Sequence, residues 1–176
     1  IFDLEQKPGA PTTYFAGGYD TQAKLYISTD EGATWTVRST ITGAWRTAIA
    51  VTPANPNFVG VLAEKYSDDT FLGFYTSSDG GLNYTLRSSN PNILGYESNG
   101  SDASGQGWYD LALAIDPTNA NTIYVGGVNT WKSTNGGTTW TINTMWYPET
   151  QTIPTVHADK HDLAFQNNST LFQCND

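Results

Sequence analysis

The stretch Ser28-Thr-Asp-Glu-Gly-Ala-Thr-Trp35 decides the fold, because its pattern occurs three times in the chain. It returns as Ser77-Ser-Asp-Gly-Gly-Leu-Asn-Tyr84 and as Ser133-Thr-Asn-Gly-Gly-Thr-Thr-Trp140. An Asp or Asn side chain accepts hydrogen bonds from backbone N–H groups further along a turn, and glycine adopts positive φ without a steric penalty. The pattern therefore predicts three tight turns, each connecting two β-strands.

The positions that recur in all three turns are predicted to stabilise the turn conformation and not to take part in catalysis. The Ser hydroxyl and the Asp or Asn side chain bind the turn backbone. The closing aromatic ring begins the next strand and is expected to be buried against a neighbouring unit. These positions are Ser28, Asp30, Gly32 and Trp35, then Ser77, Asp79, Gly81 and Tyr84, then Ser133, Asn135, Gly137 and Trp140.

Each turn belongs to a longer repeat. An apolar segment, a turn and a second β-prone segment precede each copy, and the copies start at residues 28, 77 and 133. Four strands in a repeat of roughly 40 to 50 residues are typical of a β-propeller, and helical periodicity is absent. The sequence therefore predicts an all-β fold, a propeller fragment of four-stranded antiparallel blades. The expected blades are residues 1–40, 45–89 and 108–145, with the start of a fourth at 158–176.

The turn pattern resembles the Asp-box, or BNR repeat, of propellers in sialidases, VPS10 domains and xyloglucanases. Asn83, Tyr84 and Asn135 depart mildly from that pattern. The segments 107–127 and 156–161 are similar to blades of secreted bacterial surface proteins that carry a C-terminal sorting domain. The resemblance implies an extracellular or cell-surface location, export as a type IX secretion substrate and a longer chain that completes the propeller. It also implies that the box turns lie far from any active site.

The composition limits the classes of partner that the chain is expected to bind. The chain has 17 acidic and 8 basic residues, and the basic residues form no cluster, so we expect no nucleic-acid binding. No apolar run reaches the roughly 18 residues of a membrane helix, so no membrane span is predicted. Cys174 is the single cysteine, which excludes a disulfide within this stretch of chain.

Two long connections, residues 89–107 and 145–156, join the fourth strand of one blade to the first strand of the next. In an antiparallel blade these connections lie at the end opposite the box turns, and long loops on a rigid scaffold often carry function. We therefore predict a ligand-binding face formed by Trp108, Tyr109, Asp110, Trp146, Tyr147, His157, Asp159 and His161.

Glycoside hydrolysis requires two carboxylates about 5 to 10 Å apart. The acids on or beside the predicted face are Glu97, Asp102, Asp110, Glu149 and Asp159. Asp110 and Asp159 are the favoured catalytic pair. The alternative is structural, with nearby aromatic residues such as Tyr96 wedging the blades together. A sialidase site is not indicated, because no Arg-Ile-Pro sequence occurs and only Arg46 of the three arginines is expected near the central channel.

A metal site is a weaker hypothesis. If the segment 157–161 is extended, alternate side chains place His157, Asp159 and His161 on one side, where Asp110 could join them around a divalent metal. The structural alternative is that these side chains form loop hydrogen bonds. No other cofactor is predicted.

The leading functional interpretation is a non-catalytic propeller module that binds a glycan or a protein. The alternative is a polysaccharide-directed glycoside hydrolase, and a VPS10-like receptor propeller is a third and weaker interpretation.

Overall fold

The computed structural model describes residues 1–148 and 152–176. Within those residues the chain forms fourteen β-strands and no helix. The strands are β1 (Asp3–Gln6), β2 (Tyr14–Asp20), β3 (Gln22–Ser28), β4 (Thr36–Ile41), β5 (Ala44–Val51), β6 (Val59–Lys65), β7 (Phe71–Ser77), β8 (Thr85–Ser88), β9 (Ala112–Ile115), β10 (Ile123–Gly126), β11 (Thr130–Ser133), β12 (Thr141–Thr144), β13 (Lys160–Phe165) and β14 (Leu171–Asn175). The described residues include no helix long and apolar enough to cross a membrane.

The strands form antiparallel sheets in the order of the chain. Sheet one contains β1–β4, sheet two β5–β8 and sheet three β9–β12, while β13 and β14 pair as sheet four. Each four-stranded sheet is a simple meander. The predicted all-β architecture of four-stranded antiparallel units is therefore confirmed.

Neighbouring sheets pack face to face. Ile49 and Val61 of sheet two join Phe15 of sheet one in one buried cluster, whereas Leu62 and Phe74 point the other way into the cluster shared with sheet three. Alternation of side chains along a strand sends successive residues to opposite faces. Because both faces of sheet two are covered, its first three strands are apolar on both sides.

The alanines of the first strands pack between neighbouring sheets, and Ala48 and Ala112 also line a cavity on the side where the four first strands meet. Ala48 and Ala50 lie in the apolar cluster between sheets two and three, and Ala112 and Ala114 lie between sheets three and four. The faces of a first strand point at the neighbouring sheets, so its side chains fill the space between sheets. Residues from β1, β5, β9 and β13 line a common cavity, which places the four first strands around one axis.

The three repeated turns and the long connections lie at opposite ends of the sheets. The turns connect β3 to β4, β7 to β8 and β11 to β12, and the long connections lead from β8 to β9 and from β12 to β13. Successive connections in an antiparallel meander alternate between the two ends of the sheet. We call the end with residues 28–35, 77–84 and 133–140 the turn rim, and the opposite end the loop face.

Each turn is held by the same hydrogen bonds. In the first copy Ser28 Oγ donates to Asp30 Oδ1 at 2.7 Å and accepts from the N–H of Gly32 at 2.9 Å, while Asp30 Oδ1 accepts from the N–H of Thr34 at 2.8 Å. Corresponding bonds recur around Asp79 and Asn135. The glycine that follows, such as Gly32, has positive φ in all three copies.

Candidate ligand-binding face

One aromatic group on the loop face precedes β9. Trp108 is 52% exposed and Tyr109 is 38% exposed, and their ring centroids lie 5.4 Å apart. The Tyr109 ring also meets the His161 ring edge-on at 4.8 Å. Asp176 joins the two side chains, because it accepts from Tyr109 Oη at 2.6 Å and pairs with His161 Nε2 at 2.9 Å. We call Trp108, Tyr109 and His161 the first aromatic cluster.

Sheet two anchors this cluster through Arg46. Arg46 Nη1 donates to the carbonyl oxygens of Trp108 at 3.0 Å and Tyr109 at 2.8 Å. The backbone N–H of Arg46 in turn donates to the fully buried Glu64 Oε2 at 3.0 Å. Glu64 is fully removed from water and Arg46 partly, and this burial raises the pKa of Glu64 to about 7 and lowers the pKa of Arg46. The guanidinium thus holds the backbone of the cluster.

The second aromatic cluster consists of Trp146 and Tyr147, just after β12. Trp146 is 41% exposed, and the two ring centroids lie 4.9 Å apart at a steep angle. Trp146 Nε1 donates to the carbonyl oxygen of Tyr96 at 3.2 Å, and the N–H of Trp146 donates to Asn129 Oδ1 at 3.0 Å. Asn129 Nδ2 also donates to the Tyr96 carbonyl at 3.0 Å. These bonds tie the β12–β13 connection to the β8–β9 connection.

Gln106 lies at the centre of the loop face and joins three segments. Its Nε2 donates to Asp110 Oδ2 at 2.9 Å and also to Asp159 Oδ1, and its Oε1 accepts from Tyr96 Oη at 3.4 Å. Asp110 lies two residues before β9, and Asp159 directly precedes β13. One amide therefore connects the β8–β9 connection, sheet three and sheet four.

Asp110 is completely buried, and its Oδ1 has no hydrogen-bond partner among the described residues. Burial raises the pKa of this carboxyl to about 7, and the negative charge of Asp159 raises it further while Gln106 and Lys160 oppose the shift. The ionised form of Asp110 is thus disfavoured by the fold. Asp110 therefore holds Gln106 in place and has no exposed surface in this structure.

Lys160, the first residue of β13, is also completely buried. Its Nζ donates to the carbonyl oxygen of Val128 at 2.6 Å, and its N–H donates to the carbonyl oxygen of Gly127 at 3.1 Å. Burial lowers the pKa of Lys160 to about 8, although the carboxylates of Asp110 and Asp159 favour the charged form. The ammonium group therefore compensates buried acid and docks sheet four on sheet three.

The structure brings the favoured carboxyl pair together. Asp110 and Asp159 accept from the same nitrogen, so the two bonded oxygens lie within about 6 Å of each other. Asp110 nevertheless has no exposed surface for a sugar to reach, whereas Asp159 is partly exposed. The distance between the two carboxyls is thus compatible with a glycosidase, but the burial of Asp110 is not compatible with contact to a sugar.

The other candidate acids have different positions. Asp102 Oδ2 accepts from the N–H of Glu97 at 2.7 Å and so holds its own loop together, while Glu97 is exposed. Glu149 lies outside the described residues. Gln106 bonds to Asp110 and Asp159, whereas the bond of Asp102 is to Glu97.

The predicted grouping of His157, Asp159 and His161 on one side of an extended segment is wrong. Asp159 has φ +64°, so the chain turns there and does not alternate as a strand would. Asp159 bonds to Gln106, and His161 pairs with Asp176 instead. Across residues 1–148 and 152–176, no three His, Cys, Asp or Glu side chains lie together in a way that could hold a metal ion.

Sequence reasoning missed the residues that organise this face, above all Gln106, Glu64 and Asn129. Glu64 carried a usable signal, because it continues the apolar run of β6 and is followed by Lys65. Gln106 carried none, since it sits in a polar loop and one of its partners is 53 residues away. Long-range polar contacts of this kind leave no local pattern.

Comparisons with known proteins identify the fold of the chain. No known family profile matches the chain, and no curated protein sequence does. Among solved structures, the GH74 xyloglucanase from Xanthomonas campestris matches with a TM-score of 0.68 and 15% identity, over 98% of this chain and 26% of that one. An ancestral GH74 enzyme matches with a TM-score of 0.62 and 23% identity, over 98% and 21%.

A different kind of protein matches as well. YCF48 from Cyanidioschyzon merolae has a TM-score of 0.54 and 16% identity over 81% of this chain and 36% of that one, and a structure of YCF48 bound to D1 peptide matches similarly. The chain spans 21% to 40% of the lengths of these four structures. At such low identities the likeness shows the fold alone. The chain has an all-β propeller fold.

Proposed function

We propose that this chain belongs to an extracellular or cell-surface Asp-box propeller whose loop face binds an uncharged glycan. The observation that carries the proposal is the pair of exposed aromatic clusters at one end of the sheets, at Trp108–Tyr109 and at Trp146. A flat aromatic ring covers the C–H face of a sugar, and neighbouring polar groups bind its hydroxyls. Asp159, His161 and Asp176 supply such groups beside the rings.

The preference for an uncharged glycan follows from the basic side chains at this end of the sheets. Arg46 and Lys160 are bound to backbone carbonyls, as described above. Lys24 pairs with Asp20 at 2.8 Å, and Lys65 pairs with Asp68. Each of these four side chains is thus already bound to a backbone carbonyl or a carboxylate, and the chain carries a net charge of −9. A polyanionic glycan would meet repulsion without a compensating ion pair.

Xyloglucan is the first polysaccharide to test because a xyloglucanase is among the similar structures. The binding test is affinity gel electrophoresis of the full-length protein in gels that contain xyloglucan, hydroxyethyl cellulose or carboxymethyl cellulose. The last two share a backbone and differ in charge. We expect retardation by the uncharged polymers and none by carboxymethyl cellulose at low salt. Trp108→Ala and Trp146→Ala should each weaken binding about tenfold, the loss expected for a contact worth about 1.4 kcal/mol.

Leu82→Ala is the matched control, because Leu82 is 46% exposed on the turn rim. It should leave retardation unchanged. Equal retardation by carboxymethyl cellulose would contradict the charge argument, and wild-type retardation of both tryptophan variants would contradict the assignment of the face. Absence of glycan binding together with capture of a peptide on the same tryptophans would favour the protein-binding alternative.

The location outside the cell and export through a sorting domain rest on the resemblance of the turns and of segments 107–127 and 156–161 to secreted surface proteins. Protease treatment of intact source cells tests this part. We expect the protein in the medium or degraded at the surface. Protection until the cells are lysed would contradict it.

A glycoside hydrolase is the second candidate, and one observation favours it. The Asp110 and Asp159 carboxyls share the Gln106 amide, and burial raises the pKa of Asp110 to about 7, which suits a general acid. Asp110→Asn and Asp159→Asn should then each abolish release of reducing sugar from xyloglucan while retardation in the gel persists. If the wild-type protein releases no sugar from a panel of polysaccharides, the non-catalytic module stands.

A further inference from the structure

Three further aromatic residues lie at the loop-face end of sheets one and two. Phe2 precedes β1, Trp45 is the second residue of β5, and Tyr66 directly follows β6. Successive connections alternate between the two ends of a sheet, so all three residues lie opposite the turn rim. The ring centroids of Phe2 and Trp45 lie 5.9 Å apart, and those of Trp45 and Tyr66 lie 6.4 Å apart, both edge-on. We call Phe2, Trp45 and Tyr66 the third aromatic cluster.

The third aromatic cluster is open to solvent. Tyr66 is 65% exposed and Phe2 is 44% exposed, while Trp45 is half-buried. The backbone that carries the most exposed ring is nevertheless fixed, because the N–H of Tyr66 donates to the carbonyl oxygen of Gly43 at 2.9 Å. Aromatic side chains gain free energy when they are covered, and a group of them left open on a rigid backbone marks an interaction site.

A β-bulge presents Trp45 at this end of sheet two. The register of β5 on β6 shifts between Ala44 and Thr47. Trp45 and Arg46 together therefore lie opposite a single residue, Glu64. A bulge of this kind bends its strand and re-aims a side chain, and bulges are over-represented beside functional sites. The extra residue turns this edge of sheet two towards the loop face.

The third aromatic cluster borders the first. Arg46 follows Trp45 in the chain, and its Nη1 donates to two carbonyl oxygens of the first aromatic cluster, at 3.0 and 2.8 Å. One arginine side chain therefore spans the gap between the two clusters. Phe2 of the third cluster and His161 of the first line the same cavity as Arg46. The two clusters thus lie beside one cavity at the loop-face end of the first strands.

We propose that the third aromatic cluster is an additional sugar-binding subsite, so that the loop face binds several consecutive units of one uncharged polysaccharide chain, running from Tyr66 to Trp108. This inference rests on the proposed function, which itself needs only the first and second clusters. An aromatic ring covers the C–H face of a sugar. Two such groups on one scaffold hold a chain more tightly than either alone, because the second contact is made within the complex. The charge fits as well, since Lys65 beside Tyr66 is paired with Asp68.

The dependence of affinity on ligand length tests the proposal. Isothermal titration calorimetry of the full-length protein is carried out with xyloglucan oligosaccharides of one and of two backbone repeats. The shorter ligand is expected to occupy the first aromatic cluster alone, and the longer ligand both clusters. Trp45→Ala and Tyr66→Ala should each weaken binding of the longer ligand about tenfold and change binding of the shorter one less than about twofold. Trp108→Ala should weaken binding of both ligands.

Trp35→Ala is the matched control, because Trp35 is 40% exposed on the turn rim, and it should bind both ligands like the wild-type protein. Wild-type affinity of Trp45→Ala and Tyr66→Ala for the longer ligand, with weakened binding by Trp108→Ala, would overturn the subsite and leave the proposed function intact. Equal weakening of both ligands by Trp45→Ala and Tyr66→Ala would also overturn the subsite, since these residues would then act only by positioning the first cluster.

Tyr66→Ala keeps the test decisive if Trp45→Ala does not fold, because Tyr66 is the most exposed ring of the third aromatic cluster. Failure of the wild-type protein to bind either oligosaccharide has a different meaning. It would contradict the proposed function itself, and the subsite with it.

Discussion

The ring of Phe74 in β7 lies directly against Gly137 in the turn between β11 and β12, with no room for a β-carbon on that glycine. Gly137 also has φ +81°, a conformation that costs an L-residue about 1 to 2 kcal/mol. Two independent reasons therefore require glycine at this position. The contact fixes the turn of sheet three against the core of sheet two.

Gly137→Ala is expected to lower the free energy of unfolding by about 3 kcal/mol, as the sum of backbone strain and overpacking. Gly136→Ala is the matched control, because Gly136 also has positive φ, at +68°, but an added β-carbon would come no closer than 3.4 Å to another group. That variant should lose only about 1 to 2 kcal/mol. Urea denaturation measures both. Equal losses would show that the Phe74 contact does not restrict the site.

Asn135→Asp should stabilise the protein at neutral pH. Asn135 Oδ1 already accepts from the N–H groups of Thr138 at 3.2 Å and Thr139 at 2.9 Å, and a carboxylate accepts such bonds more strongly than an amide. Asp30 in the first turn shows the consequence, since its hydrogen bonds lower its pKa to about 2. We expect a higher Tm at pH 7, with the gain lost as the pH falls from about 4 towards 2. A lower Tm at pH 7 would contradict this reading of the turn.

Asp110 is expected to make stability fall with rising pH. Its pKa is about 7 in the folded protein, against about 3.9 for an unperturbed Asp, so over that interval the folded state retains a proton that the unfolded state releases. The stabilisation that this group contributes to the free energy of unfolding is therefore present in full below about pH 4. It is lost as the pH rises through about 7. Asp110→Asn removes the titration and keeps an acceptor for Gln106.

The difference in free energy of unfolding between Asp110→Asn and the wild-type protein isolates this group. It should shift in favour of the variant from pH 4 to pH 7, while Glu5 and Glu64, whose pKa values are also raised to about 7, contribute equally to both proteins. A difference that does not change over this interval would mean that Asp110 titrates normally.

Gln106→Glu should destabilise the loop face at alkaline pH. The substitution replaces the amide that donates to Asp110 and Asp159 with a third carboxylate, so three acids meet where one donor stood. We expect a clear fall in Tm at pH 8 that is partly recovered at pH 5, where a protonated carboxyl can donate again. Gln22→Glu adds the same charge at an exposed position and is the control. Equal effects of the two variants at pH 8 would rule out a central role for Gln106.

The fold was predictable because its determinants are local. The Ser, Asp and Gly of each turn bond to one another within four residues, and they recur at a period that fits four strands. The aromatic residues that close the turns were expected to be buried, and Trp140 is, but Trp35 is not. The difference depends on what lies next to each sheet, which the turn pattern does not encode.

The candidate site was predictable only in part. Adjacency in the chain and the alternation of connections placed Trp108, Tyr109 and Trp146 at one end of the sheets. The hypothesis for residues 157–161 was wrong because it assumed an extended backbone, and the positive φ of Asp159 leaves no mark in the residue pattern. The Gln106 contacts escaped notice because they join segments far apart in sequence, where only the packed structure brings donor and acceptor together.

The position of a bound oligosaccharide tests the central claim most directly. A crystal of the full-length protein, grown with an uncharged xyloglucan oligosaccharide, should show the sugar on the loop face against Trp108, Tyr109 and Trp146. Density for the sugar at the turn rim, against residues 28–35, 77–84 or 133–140, with the loop face empty, would contradict the account.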